Sequence, residues 1–422
     1  MESLNNWKPL MGEEPISHNY RITTPLFFSP MSTAVPPPLP AVLIPALPND
    51  LALNILARVP RQYHPILSAV SKSIRLAISS TQLFTLRSLL NLTETLLYFK
   101  VGSLFLDTEN WFAIYQKPIV YGRKSLLQFA QLLQPNPIHL VGSAHAVVGP
   151  NIYVIGGTTS DDANVVKPSS DVWVLDCRSH TWQRGPSMRT PRFDASTAVV
   201  DGKIYVIGGR ANNSWVEVFD PVAVGGGRWE DIPGPLDGRI ELFTDVEVVD
   251  GRICVRVSNQ EIRLDPKTTT WEVTGYDLPY GGREECVVNG VFHRCDNRGK
   301  IEWYDDRNRV WKELKGGVTE MLPKYVCGTK LVNLKGRLVM MWGEVSYGSS
   351  VNGVEKKKKR KKGVVKLWCG EIEVSKNGDC RDLWGELVQK VCLLPEGSWG
   401  LAEKNFYESV FLFDGITLCV SL

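Results

Sequence analysis

Cys286, His293 and Cys295 form the densest group of metal-capable side chains in the sequence. A zinc site needs three or four such ligands converging on one point. Their spacing is irregular, and a strand pair is expected to divide them between two faces, so no metal site is expected. His64, His145 and His180 have no triad partner at a recognisable spacing. Neither a Walker-type phosphate loop nor a His-Glu-x-x-His helix occurs. These residues argue for a protein without chemistry of its own, holding neither cofactor nor metal. Binding chemistry is better represented. Arg192, Arg239, Arg283 and Lys324 recur at intervals of 47, 44 and 41 residues, with Arg189 and Arg210 beside them. Guanidinium forks suit carboxylate and phosphate, so six cations at one end of a repeated unit read as a target-binding face. The alternative is local pairing with Asp194, Glu241, Glu284 and Glu285. A separate run, Lys356, Lys357, Lys358, Lys359, Arg360, Lys361 and Lys362, reads as a solvated loop or as a nuclear-import signal.

The intervals between those cations imply repeated elements that position them. Trp111, Trp182, Trp229, Trp271, Trp311 and Trp384 recur in step. Four apolar strands end in Asp, at Asp176, Asp220, Asp265 and Asp305. The next Trp follows after six residues in three of these, while a Gly-rich insert lengthens the interval from Asp220 to Trp229. Two-residue hairpin turns recur at Asp201-Gly202, Asp250-Gly251, Asn289-Gly290 and Asp414-Gly415, with weaker versions at Gly149-Pro150 and Lys335-Gly336. Short strands repeating every roughly 40–50 residues predict a β-propeller, one repeat per blade. Gly156-Gly157 and Gly208-Gly209 close two strands as in kelch repeats, which this part of the chain resembles. Later blades carry Arg256-Val257, Cys295-Asp296 and Trp342-Gly343 at that place. The last hairpin, Ser409–Leu422, lacks a Trp, and Trp111 lacks an upstream hairpin. Joining two strands from each end predicts six blades, with the chain's ends sharing one and no open sheet edge left.

Net charge is +3, but without the seven cations at 356–362 the remainder is −4. A mildly acidic body has no general field for nucleic acid. Nine cysteines without a C-x-x-C spacing suit a reducing compartment. The sequence opens without a basic-then-apolar leader, and no stretch approaches about 18 apolar residues. A soluble intracellular protein of the cytoplasm and/or nucleus, with no membrane partner, is expected. Residues 1–44 are Pro-rich without periodicity and predict a disordered leader. Residues 91–422 would form the ring, with a basic disordered insertion at about 345–363.

Residues 45–90 have helical periodicity. Leu51, Ile55, Leu56 and Val59 share one face before Pro60, and Pro65 opens a second helix with Ile66, Leu67 and Val70. Three short helices bury too little to stand alone and need a partner or the ring. The string Leu47-Pro48-Asn49-Asp50-Leu51, then Ile55-Leu56-Ala57-Arg58-Val59-Pro60, Leu67, Val70-Ser71-Lys72 and Arg75 resembles an F-box. Ile74 stands where many F-boxes place Trp. With the ring, everything beyond the leader is similar to plant F-box/kelch-repeat proteins. The resemblance implies a non-catalytic substrate-recognition subunit of a Skp-cullin-F-box ubiquitin ligase. Leu47, Pro48, Leu51, Ile55, Leu56 and Val70 would contact a Skp-type adaptor, and through it a cullin-RING ligase. The propeller would hold an unidentified protein target. The rival expectations are a propeller enzyme acting on a small molecule, and a scaffold whose F-box is inert.

Overall fold

The computed structural model describes residues 42–103, 106–116, 127–131, 142–160, 166–209, 215–224, 226–235, 243–257, 260–274, 285–296, 299–322, 327–347, 363–376, 382–394 and 417–421. Six four-stranded sheets follow one another along the chain. Blade 2 comprises Ala144–Val148, Asn151–Ile155, Val172–Asp176 and Thr181–Arg184. Blade 3 comprises Ser196–Val200, Lys203–Ile207, Val216–Phe219 and Trp229–Ile232. Blade 4 runs through Phe243–Val249, Arg252–Val257, Gln260–Asp265 and Thr270–Thr274, and blade 5 through Glu285–Val288, Val291–Cys295, Ile301–Asp305 and Val310–Glu313. Blade 6 has longer strands, Cys327–Leu334, Arg337–Tyr347, Gly363–Lys376 and Leu383–Leu394. In all five, sequence order is sheet order and neighbours are antiparallel.

Blade 1 closes the ring, but not by two strands from each end. Among the described residues Thr417–Ser421 alone comes from the C-terminal side, and it takes the first position, pairing with Thr95–Phe99. Thr95–Ser103, Leu106–Gln116 and Leu127–Gln131 complete the sheet. Leu127–Gln131 carries no repeat landmark, which is why two N-terminal strands are expected where three occur. Trp111 accordingly sits on a third strand, whereas the other five repeat tryptophans sit on fourth strands. The Ser409–Asp414 half of the expected hairpin lies outside the described residues, as does the Asp414-Gly415 turn. First strands of adjacent blades lie beside one another from blade 6 through blade 1 to blade 4, and again between blades 5 and 6.

The turn chemistry follows from backbone sterics. Both central residues of Asp201-Gly202, Asp250-Gly251, Asn289-Gly290 and Lys335-Gly336 have positive φ, near 50° and then 73–80°. That is the requirement of a type I′ hairpin, whose twist matches the strands it joins. The Asp-to-Trp spacing also has a cause. The carboxylates of Asp176, Asp265 and Asp305 each accept the N–H two residues on, and His180, Thr269 and Arg309 take the left-handed conformation four residues on. The chain then re-enters the sheet with Trp at the sixth place. Trp229 Nε1 donates to the Pro186 carbonyl and Trp271 Nε1 to that of Pro233, both at 2.8 Å, tying a fourth strand to the loop before its own blade.

The apolar core lies between blades, not within one. Ile152 and Val154 face Tyr98 and Trp111 of blade 1, while Tyr153 and Ile155 face Ile204 and Val206 of blade 3. This is the two-residue period of a strand buried on both faces. Similar layers join blades 3 and 4 and blades 5 and 6. In blade 6, pairing continues to Tyr347↔Gly363, so the expected insertion is bracketed by a strand ladder. Lys356–Lys362 lie outside the described residues. No helix among the described residues is long and apolar enough to cross a membrane.

Candidate functional site

Four α-helices, not three, build the N-terminal module: α1 (Asn49–Ala57), α2 (His64–Val70), α3 (Lys72–Ile78) and α4 (Thr81–Leu89), with a 3-10 turn at Arg61–Tyr63. Pro65 opens α2, where its missing N–H has no cost. Ser71 Oγ accepts the Ile74 N–H and Ser80 Oγ the Leu83 N–H, so each serine caps the helix that follows it. The break between α2 and α3 at Ser71 is what the periodicity alone does not reveal. Leu43, Ala52, Leu56, Ala57, Ala77, Ile78 and Leu83 form the core, with Leu47, Leu67 and Ile74 packed against it. The module therefore begins before residue 45, and Ile74 fills the place expected for a larger aromatic.

The six expected adaptor contacts separate into two groups. Leu51 and Ile55, one turn apart on α1, are 47% and 45% exposed, and Val70 is 65% exposed. Pro48 is exposed too. Leu56 is a correction: at 4% exposure it belongs to the module's own core, because it sits next to Ile55 and faces inward. Leu47 is half-buried against that core. Sequence reasoning leaves out Tyr63 and Ile66, both exposed, with Ile66 one turn before Val70 on α2. The i, i+4 relation to Val70 was a usable signal.

The module's other side is closed and, apart from Phe84, polar. Arg61 Nη2 donates to the Cys177 carbonyl at 2.7 Å, and its guanidinium lies 4.9 Å from the centre of the Phe84 ring. Arg87 donates to the carbonyls of Ala57, Val59 and Leu92 at 2.7–2.9 Å and to Glu94 at 3.0 Å. Glu94 also accepts the backbone N–H of Arg61. Phe84 packs with Tyr98, Trp111 and Trp173 in the layer between blades 1 and 2. The Tyr98 hydroxyl meets His180 Nε2 at 2.9 Å. Burial and the nearby Arg61 charge drive both His64 and His180 down to about 3, so both rings are neutral at pH 7. Burial pushes the Cys177 thiol up to about 12, which makes it unreactive. Apart from Asp50, Glu94 is the lone acid between residues 45 and 103. That scarcity among so many cations was the sequence signal for a buried pair.

Cys177 and Arg178 occupy the turn between the third and fourth strands of blade 2, and the Cys177 N–H bonds to the Pro150 carbonyl in the hairpin turn. The module thus sits on the face that carries the two-residue turns. The loops between blades lie on the opposite face, because strands alternate in direction.

On that opposite face, Arg192 corrects the expected ring of free cations. Its side chain is fully buried against an equally buried Glu217, with Nε and Nη2 at 3.2 and 3.1 Å from Oε1. Nη1 donates to the Gly208 carbonyl at 2.6 Å, and the Glu217 carboxylate also accepts the N–H groups of Arg189 and Thr190. Desolvation pulls the Arg192 pKa down while Glu217 opposes it. A Cβ on Gly156 would stand 2.5 Å from the Arg192 carbonyl, so the blade 2 double glycine makes room for this loop. Arg192 is therefore paired, but the carboxylate that holds it is Glu217, 25 residues away and not a neighbour in sequence. Arg189 is exposed and paired with Asp231 at 2.8 Å. Arg210, Arg239, Arg283 and Lys324 lie outside the described residues. Cys286 and His293 are cross-strand partners and so share a sheet face with Cys295, against the expected division between two faces. Among the described residues no three such side chains are placed to hold a metal ion.

Comparison with known proteins agrees with this architecture. Residues 44–86 match the F-box domain and residues 111–390 match the FKB95 kelch-repeats domain. The Arabidopsis thaliana F-box/kelch-repeat protein At4g39590 is 35% identical over 379 residues, covering 82% of this chain and 85% of the relative. The putative F-box/kelch-repeat protein At4g39290 of the same plant is 35% identical over 358 residues, covering 81% and 90%. F-box/kelch-repeat protein At4g39550 is 34% identical over 386 residues, covering 84% and 92%. A helical module of F-box sequence, capped onto a ring of kelch-type sheets and matched along most of its length, makes this chain a member of the F-box/kelch-repeat family.

Proposed function

We propose that the chain is the substrate-receptor subunit of a Skp-cullin-F-box type ubiquitin ligase. The observation that carries this reading is the unfinished face of the helical module. Leu51, Ile55, Tyr63, Ile66 and Val70 stay exposed although the module has a core of its own. Burying such a face against a Skp-type adaptor supplies association energy, roughly 25 cal/mol for each Å² of apolar surface covered. The propeller then holds a protein target on the face away from the module, where loops between blades offer side chains on a rigid frame. No chemistry is assigned to the chain; its contribution is proximity, raising the local concentration of target lysines near the ubiquitin carrier. The protein acts in the cytoplasm and/or the nucleus, with the cationic run at 356–362 as an import signal.

The test is co-purification from plant cells with the proteasome blocked. Leu51→Asp with Ile55→Asp is expected to lose the adaptor while the ring stays folded and retains its targets. Undiminished adaptor recovery with this double variant overturns the reading. Replacing 356–362 with Ser and Gly tests the import signal, which is abandoned in favour of a solvated loop if the nuclear fraction does not fall.

A further inference from the structure

We propose that Arg61 and Arg87, with Glu94 between them, form a lock that makes the helical module and the ring one rigid body. An adaptor docked on the exposed helices would then be held at one orientation to the ring's far face. The two guanidiniums hold separate stretches of chain. Arg87 grips the carbonyls of Ala57 and Val59, where α1 ends, together with that of Leu92 in the connector. Arg61 crosses from the module to the carbonyls of Cys177 and Arg178 in blade 2, at 2.7 and 3.4 Å. Glu94 belongs to the connector, one residue before the strand that opens at Thr95, and it accepts both the backbone N–H of Arg61 and the guanidinium of Arg87. Three pieces of chain far apart in sequence thus meet in one polar cluster.

The materials of the lock favour stiffness. Arg87 spreads its bonds over both terminal nitrogens, where a lysine would supply a point charge on a flexible stem, and Arg61 makes its two carbonyl bonds through Nη2. Both guanidiniums are nearly sealed from water, with Arg61 at 3% and Arg87 at 1% exposure. Opening the joint would strand buried carbonyls without their donors, which costs more than the bonds themselves contribute. Phe84 adds an apolar plug, entering the layer between blades 1 and 2 beneath Arg61. The connector from α4 to Thr95 is only about five residues, too short to allow a wide swing.

Rigidity of the free chain does not depend on the adaptor reading; the consequence for presentation of a target does. The test uses the full chain with spin labels on non-canonical residues at Ser88 and Lys267, both exposed. Electron–electron distance measurement is expected to give one narrow distribution for the native protein. Arg61→Ala with Glu94→Ala is expected to broaden it at least twofold and to raise hydrogen exchange at Cys177–His180, leaving exchange in blades 3 and 4 unchanged. Arg61→Lys retains the charge but not the planar guanidinium over Phe84, and is expected to broaden it by a smaller amount. If the double variant does not fold, Arg61→Lys decides. A broad native distribution, or variants as narrow as the native chain, overturns the lock. Leu51→Asp with Ile55→Asp separates the two proposals, because it should abolish adaptor binding while leaving the distance distribution narrow.

Discussion

The two sides of the helical module follow opposite rules. Toward the ring it is closed to water and, Phe84 apart, polar, with its cations held by carbonyls and one carboxylate. Away from the ring it presents aliphatic side chains roughly half or more open to solvent. A small domain gains most stability by burying apolar surface, so the arrangement looks inverted. The difference separates two tasks. The polar side makes a contact that is directional and formed once, within the same chain. The apolar side is left for a surface that arrives later, where non-directional burial suffices.

That contrast is open to attack at several strengths. The largest effect is expected where a buried charge loses its buried counter-charge. Arg192→Ala would leave Glu217 buried without its cation, which commonly costs about 3–5 kcal/mol. Arg192→Glu would place two carboxylates together and should prevent stable folding of blades 2 and 3. Equilibrium unfolding in denaturant measures both. A folded Arg192→Glu protein of native stability would mean that the residue faces solvent after all. At the joint, Arg87→Ala should cost about 3 kcal/mol through the carbonyls it abandons. The figure stands at the lower end of the Arg192 range because Glu94 keeps a third of its side-chain surface in water.

Acid offers a graded version of the same test. His64 and His180 titrate near 3 in the folded chain and near 6.5 when unfolded, and burial lowers His145 and His293 as well. The unfolded state therefore binds more protons below pH 6.5. Stability from this source is complete above 6.5 and declines as pH falls toward 3. Each histidine contributes up to about 1.4 kcal/mol per pH unit to the slope. His64→Gln and His180→Gln should each flatten the decline in pH-dependent denaturant titrations. A slope unchanged in both variants would show that the joint admits water and protonates freely.

Legibility in the sequence tracked the range of the interaction. The Asp-Gly turns and the Asp-to-Trp spacing are local, set by backbone sterics within a few residues, and are readable from residue order alone. The helices at 45–90 were legible from their apolar period, and their F-box character from the resemblance of the string that carries them. What was hidden is non-local. Glu217 lies 25 residues from Arg192, and Cys177 lies 116 residues from Arg61. The spacing of Arg192 with the other cations suggested a shared function for all of them, yet a periodic position guarantees only an equivalent place in the repeat. The double glycines that admit the Arg192 loop occur in blades 2 and 3 and are missing from the later repeats. The third N-terminal strand of blade 1 was hidden differently: Leu127–Gln131 carries neither Trp nor a Gly turn.

The smallest effect on stability should come from the apolar side, and its smallness is the point. Leu51→Asp with Ile55→Asp removes two large side chains, but nearly half of each already lies in water. An acid at Leu51, in the first turn of α1, is favoured by the helix dipole. The same charge at Ile55, near the C-terminal end, is disfavoured, so the two dipole effects nearly offset. The net cost should be about 1 kcal/mol or less, against the larger losses expected at Arg87 and Arg192. Thermal unfolding of the pair, measured beside Arg87→Ala, tests the ordering directly. If the aspartate pair unfolds the module as severely as Arg87→Ala does, Leu51 and Ile55 are part of the module's core and the contrast between its two sides fails. If the pair is nearly neutral in the isolated chain yet abolishes adaptor capture, the exposed side is keeping its apolar surface for a partner and not for the fold.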